Sequence, residues 1–185
     1  MAKLAKIVYG DALYDLAQET DRVDEFFEAA KVVLSILEEN EELENVLSHP
    51  KIVKEEKIRV VKECFSGRVP DEITGLLVLL VEKNHSHEMR DVLSFFIARI
   101  KEFKKIGIAW VSTAVPLTEA QKAAVEKRLL ETTSYLQFEM NYKTDPSLIG
   151  GVVIRINDRV IDSSIKSKLY ALTRDLSQIQ ISNMN

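Results

Sequence analysis

Apolar residues recur at intervals of three and four along the first 105 residues, and this spacing predicts a series of amphipathic helices. A short helical segment is predicted around Leu43, within this series. Pro50 ends that segment, because the residue before a proline disfavours the helical conformation. The longer predicted helices cover residues 3–18, 21–38, 54–65, 70–84 and 86–105. We therefore expect residues 1–105 to form an all-α bundle of about six helices.

Local signals place the ends of several of these helices. Thr20 or Asp21 can cap the second helix, since both side chains accept hydrogen bonds from the free amides at a helix start. Pro70 suits a first helical position, where no amide donor is needed. Gly107 can end the last helix, because glycine readily adopts the left-handed conformation that is common at helix ends.

The first predicted helix carries more apolar residues than packing against a single core requires. Its apolar side chains cover about half of the circumference, whereas packing against a single core needs a stripe of roughly 100°. A later helix contains the uninterrupted aliphatic run Leu76–Val81, which leaves almost no polar face, so it is expected either to be the central helix of the bundle or to lend one side to a partner. Surplus apolar surface on two helices favours a protein interface, with an amphipathic helix as its partner. The arc on the first helix consists of Leu4, Ala5, Val8, Tyr9, Ala12, Leu13 and Leu16.

The pattern changes after residue 105, and a second domain is expected at residues 106–185. The stretch "IAWVSTAV" predicts a strand because β-branched residues are frequent in it. Thr118 and Gln121 have the spacing of a capping box, which predicts a helix running to about Thr133. In "YLQFEMNY", apolar and polar residues alternate from Leu136 to Tyr142, which predicts a half-buried strand with Leu136 on its apolar side.

The remaining segment predicts a hairpin and a last helix. "GGVVIRI" and "RVID" are expected to be strands joined by a tight turn at Asn157 and Asp158. Ser163 or Ser164 can cap a helix whose apolar seam is Ile165, Leu169, Leu172, Leu176 and Ile179. The order strand, helix, three strands, helix predicts a small α/β domain. The fold class of the whole chain is therefore α+β.

Composition and charge narrow the classes of function. Hydrophobic residues make up 46% and charged residues 29% of the chain, which is ordinary for a folded globular protein. Residues 1–105 contain 16 Lys and Arg against 21 Asp and Glu, which gives −5, whereas the remainder has 9 against 8, which gives +1. An acidic helical domain does not favour binding to nucleic acid and favours a basic or neutral partner.

The sequence lacks the residue sets on which common catalytic sites depend. Gly150 and Gly151 lead into a predicted strand and not into a helix, so they do not form a phosphate-binding loop. His85 and His87 have no further metal ligands near them in the sequence and are expected to be exposed loop residues. Asp145 precedes a proline and is expected to fix a turn. Asp162 can hold a helix start or contact a partner. We therefore expect a non-enzymatic protein without a cofactor or a metal site.

Four stretches resemble the delta subunit of the rotary F-type ATP synthase, which in mitochondria is the oligomycin-sensitivity-conferring subunit. They are "KIVYGDALYDLA", "LENVLSHPKIVKEEKIRVV", "VSTAVPLTEAQ" and "DPSLIGGVVIRINDRVIDSSIKSKL". Their order and spacing extend the resemblance over nearly the whole chain. Ser163 stands where the family often has glycine, and "EKNHSHEM" replaces its usual turn after the aliphatic helix.

The resemblance implies a non-catalytic stator subunit that couples proton flow to ATP synthesis. It implies that residues 1–105 bind the N-terminal helix of an alpha subunit in the catalytic head, and that residues 106–185 bind the C-terminal region of the b subunit in the peripheral stalk. The implied groove for the alpha helix lies between the first helix and the aliphatic helix. Its candidate residues, some of which are expected to be core, are Tyr9, Ala12, Leu13, Leu16, Leu76, Leu79, Leu80 and Lys83.

Membrane association is expected to be indirect, through the complex. The longest aliphatic run is Leu76–Val81, far below the roughly 20 residues of a membrane-spanning helix, and the N-terminus lacks the continuous apolar core of a signal peptide. The expected place is the cytoplasmic face of a bacterial cell membrane, with a plastid thylakoid as the alternative.

A helical RNA-binding module, as in antitermination factors, is the alternative function, and the acidic first domain speaks against it.

Overall fold

The computed structural model describes residues 2–170 and divides the chain into two compact units, Met1–Phe103 and Lys104–Asn185. The division falls two residues before the predicted boundary. Among the described residues, no helix is long and apolar enough to cross a membrane. The structure has mixed α+β content, as predicted: helices come first and a small four-stranded sheet follows.

The first unit is helical. A single 3-10 turn, Ser86–Glu88, precedes its last helix. The helices are α1 (Ala2–Glu19), α2 (Val23–Glu39), α3 (Glu41–Ser48), α4 (Lys54–Phe65), α5 (Asp71–Glu82) and α6 (Met89–Phe103). Six helices were expected and six are found, with bounds within a few residues of the predicted ones.

The core of this unit is built from aromatic and aliphatic side chains of all six helices. Phe26, Phe65 and Phe96 are its largest fully buried members. Helices α1 and α6 approach closely at Gly10, where an added Cβ would lie 2.4 Å from the ring of Phe95. The absence of a side chain at this position therefore lets α1 lie directly against α6.

The predicted cap of α2 is wrong. Asp21 has a φ of 53° and belongs to the turn, Arg22 occupies the position before the helix, and no side chain caps the first amides. Arg22 instead pairs with Glu25 and with Glu72 of α5, each at 2.7 Å. These carboxylates raise the pKa of Arg22, and its guanidinium lowers the pKa of Glu25. The groups are largely exposed, so the pairs fix orientation more than they stabilise the unit.

The second unit is a four-stranded sheet with one crossing helix. Strands β1 and β2 are parallel, and helix α7 makes the crossover that a parallel pair requires. Strand β3 is antiparallel to β1 on its other side, and the β3–β4 hairpin forms the edge, so the order is β2-β1-β3-β4. The elements are β1 (Ile106–Thr113), α7 (Glu119–Thr132), β2 (Gln137–Thr144), β3 (Val152–Ile156) and β4 (Arg159–Asp162).

Two sequence predictions fail at the edges of β1 and β2. Gly107 does not end α6: Lys105 adopts the left-handed conformation, and Gly107 is buried in β1, where a Cβ would lie 2.5 Å from the ring of Phe138. Leu136 lies before β2 and is exposed, although alternation placed it with the buried Phe138. The close approach of the Phe138 ring explains why residue 107 is a glycine.

Other local predictions are confirmed. Thr118 and Gln121 form a capping box at the start of α7. Asp145 accepts a hydrogen bond from the amide of Ser147 at 3.0 Å and fixes the turn before β3. The turn between β3 and β4 falls at Asn157 and Asp158, with Asn157 at a φ of 49°.

The start of the last predicted helix is held by a polar network. Residues 165–170 are helical, and the rest of the predicted seam, from Leu172 onward, lies outside the described residues. Ser164 is buried and its hydroxyl accepts from the amide of Ser167. Asp162 accepts from the hydroxyl of Ser167 and the amide of Ser164, and both bonds lower the pKa of Asp162. Asp162 therefore holds the helix start, one of the two roles expected for it.

Candidate partner-binding surface

Helix α1 presents apolar side chains on two of its sides. Its inner side buries Ala5, Leu13, Tyr14 and Ala17. Val8, Ala12 and Leu16 follow one another at intervals of four residues, so they share one face of the helix, and all three are exposed. The expectation that this helix carries more apolar residues than its core contact uses is confirmed. We call Val8, Ala12 and Leu16 the outer row.

Helix α5 exposes much less apolar surface than its aliphatic run suggested. Leu80 is 0% exposed and Leu76 is buried, while Leu79 is partly exposed and Lys83 is exposed. The helix packs against α1, α2 and α4 at once, and these three neighbours bury most of its apolar side chains. Of the two alternatives for α5, the central helix of the bundle is confirmed, and its surplus apolar surface is limited to the partly exposed Val78 and Leu79.

The eight candidate residues accordingly divide into core and surface. Leu13, Leu76 and Leu80 belong to the core, and Tyr9 is partly buried against it. Ala12, Leu16 and Lys83 are exposed, and Leu79 is partly exposed. Val8, which is 53% exposed, was part of the predicted arc but not of the candidate set. Its spacing from Ala12 and Leu16 was the signal that could have added it.

The turn between α5 and α6 lies next to α1. The ring of His85 is 6.0 Å from that of Tyr9. His85 Nδ1 and His87 Nε2 lie 3.1 and 3.3 Å from Oε1 of Glu88, a carboxylate that is only 4% exposed. The expectation that both histidines are simply exposed loop residues is thus wrong for His85, which is partly buried between Tyr9 and Glu88. This cluster joins the α5–α6 turn to the middle of α1.

Charge around the outer row is negative. Asp15 and Glu19 are exposed and lie on the same side of α1 as Val8 and Ala12 at helical spacing. The helical unit as a whole is acidic, and within the described residues no cluster of three or more His, Cys, Asp or Glu side chains could hold a metal ion. The outer row therefore suits a partner helix with one apolar face and basic flanks.

The sheet of the second unit has a second exposed apolar site. The strand register places Trp110, Arg155 and Val160 side by side on β1, β3 and β4. Trp110 is 54% exposed and Val160 is exposed as well. The neighbouring residues Ala109 and Ile156 point to the opposite face, where they form a core with Leu129 of α7. An exposed tryptophan in mid-strand is unusual for a face that contacts only water.

Comparison with known proteins agrees with the resemblance seen in the sequence. Residues 6–176 match the family ATP synthase delta (OSCP) subunit. The ATP synthase subunit delta of Lachnoclostridium phytofermentans is 48% identical over 98% of this chain and all of its own length. That of Trichormus variabilis is 35% identical over 91% of this chain and 92% of its own length.

The fold also has a relative among solved structures. A chain in the cryo-EM structure of the Toxoplasma gondii mitochondrial ATP synthase hexamer superposes with a TM-score of 0.73, at 18% identity, and covers 92% of this chain and 96% of its own. At that identity the likeness concerns the fold alone. The family match and the two bacterial relatives assign the function class: the chain belongs to the ATP synthase delta (OSCP) family, whose members are non-catalytic structural subunits of the complex.

Proposed function

We propose that this chain is a stator subunit that links the catalytic head of an F-type ATP synthase to the peripheral stalk. The family assignment supports membership of the complex. The observation that carries the linking role is the presence of an exposed apolar surface on each of the two units, the outer row and the Trp110 face. A link of this kind keeps the head from turning with the rotor, so that proton flow drives ATP synthesis.

On the head side, we assign the outer row to the N-terminal helix of an alpha subunit. Val8, Ala12 and Leu16 offer an apolar strip of about two helical turns, and Tyr9 and Leu79 are the partly exposed members of the candidate set. A specific interface buries roughly 800 Å² on each partner. Contacts with Asp15 and Glu19 would supply part of the polar rim and favour a partner with basic flanks.

On the stalk side, we assign the C-terminal region of a b subunit to the Trp110 face. Tryptophan and arginine are enriched among the residues that dominate protein interfaces, and Trp110 and Arg155 are paired across β1 and β3.

The expected place is the cytoplasmic face of a bacterial cell membrane, which the chain would reach through its partners. The RNA-binding alternative gains no support, because residues 1–105 carry a net charge of −5.

The two units, prepared as separate fragments, should each bind one of the two proposed partners. We expect residues 1–103 to fold alone, because that unit has its own closed core, and to bind an alpha N-terminal peptide. Residues 104–185 should bind the b subunit and not the peptide. Isothermal titration calorimetry on both fragments measures this directly, with the full chain as the positive control. Binding of the alpha peptide by the second fragment would contradict the proposed division.

Replacing Trp110 should weaken stalk binding selectively. We expect Trp110→Ala to reduce affinity for the b subunit at least tenfold, about 1.4 kcal/mol, while affinity for the alpha peptide is unchanged. Leu136→Ala is the matched control, since Leu136 is also an exposed apolar residue of the same unit but lies before β2. Equal losses in the two variants would show that Trp110 has no special part in the contact.

A further inference from the structure

The backbone at the end of α5 fixes the place of His85. Asn84 has a φ of 61°, a left-handed conformation that asparagine adopts more readily than most residues. The amide of Asn84 donates to the carbonyl of Val81. The amide of His85 donates to the carbonyl of Leu80 at 2.7 Å. These two bonds form a Schellman motif, which holds His85 against the last turn of α5, where its ring meets Tyr9 of α1.

Glu88 is a buried carboxylate at the end of the 3-10 turn. The turn lies against α1, α3 and α5, and Glu88 is only 4% exposed. Its Oε1 accepts from His85 and His87, whereas its Oε2 is buried and has no hydrogen-bond partner among residues 2–170. Removing a carboxylate from water is costly when its oxygens are incompletely paired. Glu88 therefore does little for stability, and its role is to be sought in the groups that it holds.

The two histidines that share this oxygen are not equivalent. The side chain of His85 is 31% exposed, and its ring centroid lies 6.0 Å from that of Tyr9 at an interplanar angle of 57°. The side chain of His87 is 61% exposed and reaches Glu88 from the solvent side. The ring contact with α1 is made by His85, so Glu88 is connected to Tyr9 through His85.

Tyr9 lies beside the outer row. It follows Val8 directly and precedes Ala12 by three residues, so at helical spacing its ring borders that row. Tyr9 is partly exposed and packs with its other side on the core. Tyrosine is enriched among the residues that dominate interfaces, and a side chain that is already ordered loses less entropy on binding. Contact with His85 restricts the Tyr9 ring before a partner arrives.

We propose that Glu88 is a positioning residue of the head-binding surface and acts through His85 on Tyr9. The buried carboxylate fixes the imidazole, and the imidazole fixes the phenol ring in the orientation that a partner helix meets. This role rests on the proposed function, which assigns the outer row to an alpha N-terminal helix. The device belongs to the stretch "EKNHSHEM", where this chain departs from the turn that is usual in the family.

Glu88→Met should lower affinity for an alpha N-terminal peptide about fivefold without lowering the Tm of the helical unit. Methionine fills the buried space, and the two imidazoles can bond to water, so no buried charge loses its partner. Glu88→Gln keeps an acceptor oxygen for His85 and should bind within about twofold of the parent chain. His87→Ala is the matched control, because it removes the other bond to the same oxygen and should leave affinity unchanged. Calorimetry and thermal unfolding of the full chain give both quantities.

Proton NMR of the free chain supplies a readout that needs no partner. Cross-peaks between the rings of Tyr9 and His85 should be present in the parent chain and in Glu88→Gln, and absent in Glu88→Met. His85→Ala should lose as much affinity as Glu88→Met, and the double variant should lose no more, since both act through one contact. His85 is partly exposed, so His85→Ala carries the test if Glu88→Met does not fold.

Three outcomes would overturn the role of Glu88. They are cross-peaks that persist in Glu88→Met, an equal loss of affinity in His87→Ala, and full affinity in folded His85→Ala. A parent chain that does not bind the peptide would contradict the proposed function itself. The cross-peaks would in that case still decide whether Glu88 holds His85 against Tyr9.

Discussion

Val8→Asp should abolish most of the binding to the head while leaving the helical unit folded. Val8 is 53% exposed, so the new carboxylate stays in water in the free chain. In the proposed complex it would be buried against an apolar helix without a partner, which costs about 2–3 kcal/mol and lowers affinity roughly 100-fold. The measurement is calorimetry with an alpha N-terminal peptide, with far-UV circular dichroism to confirm that the fold is intact.

Val32→Asp is the matched control for this experiment. Val32 lies on α2, in the same unit, and is also 53% exposed, so the substitution and its setting are equivalent. Its affinity for the peptide should equal that of the parent chain. Leu80→Asp should behave differently from both, because Leu80 is fully buried and the unit should lose its fold. Unchanged binding by folded Val8→Asp would remove the outer row from the proposed interface.

Gly151→Ala should destabilise the second unit strongly and leave the first intact. Gly151 has a φ of 81°, and an added Cβ would lie 2.4 Å from the carbonyl oxygen of Ser163, which is backbone and cannot turn aside. Left-handed strain and this clash together should cost about 2–4 kcal/mol of unfolding free energy. The loss would separate the turn before β3 from the helix start at Ser164, since both depend on this close approach.

Fluorescence makes the second prediction measurable in the full chain. Trp110 is the single tryptophan of the sequence and lies in β1, so urea unfolding followed by its emission reports on the second unit. Gly75→Ala is the control, because Gly75 is in α5 with nothing within 4 Å of an added Cβ and should be neutral or slightly stabilising. A Trp110 transition in Gly151→Ala at the same urea concentration as in the parent chain would contradict the assigned strain.

Sequence reasoning succeeded at three sites where the signal is local, although the cap predicted for α2, also a local signal, is wrong. The capping box at Thr118, the turn at Asn157 and the cap at Ser164 each depend on a few neighbouring residues, and all three are found. Sequence reasoning also failed where a contact with a residue far away in the sequence determines the local structure. Glycine is common at helix ends, yet Gly107 lies in a strand. A glycine is needed there because the ring of Phe138 occupies the space that a side chain would fill.

The candidate site shows the same division. Periodicity found the apolar arc of α1, and the outer row is indeed exposed. It could not show that α5 has three neighbours, so it could not say which of the candidate residues are core, as Leu76 and Leu80 are. Burial depends on how many elements surround a helix, and a single sequence carries no direct record of that number.

The place of β1 in the sheet has a mechanical consequence. This strand is the first element after the helical unit, and it is flanked by β2 on one side and β3 on the other. Tension that passes from the helical unit along the backbone therefore enters the sheet through an interior strand, which is held by hydrogen bonds on both of its edges. An edge strand would be held on one side only, so pulling β1 out of the sheet requires two ladders of hydrogen bonds to break and not one.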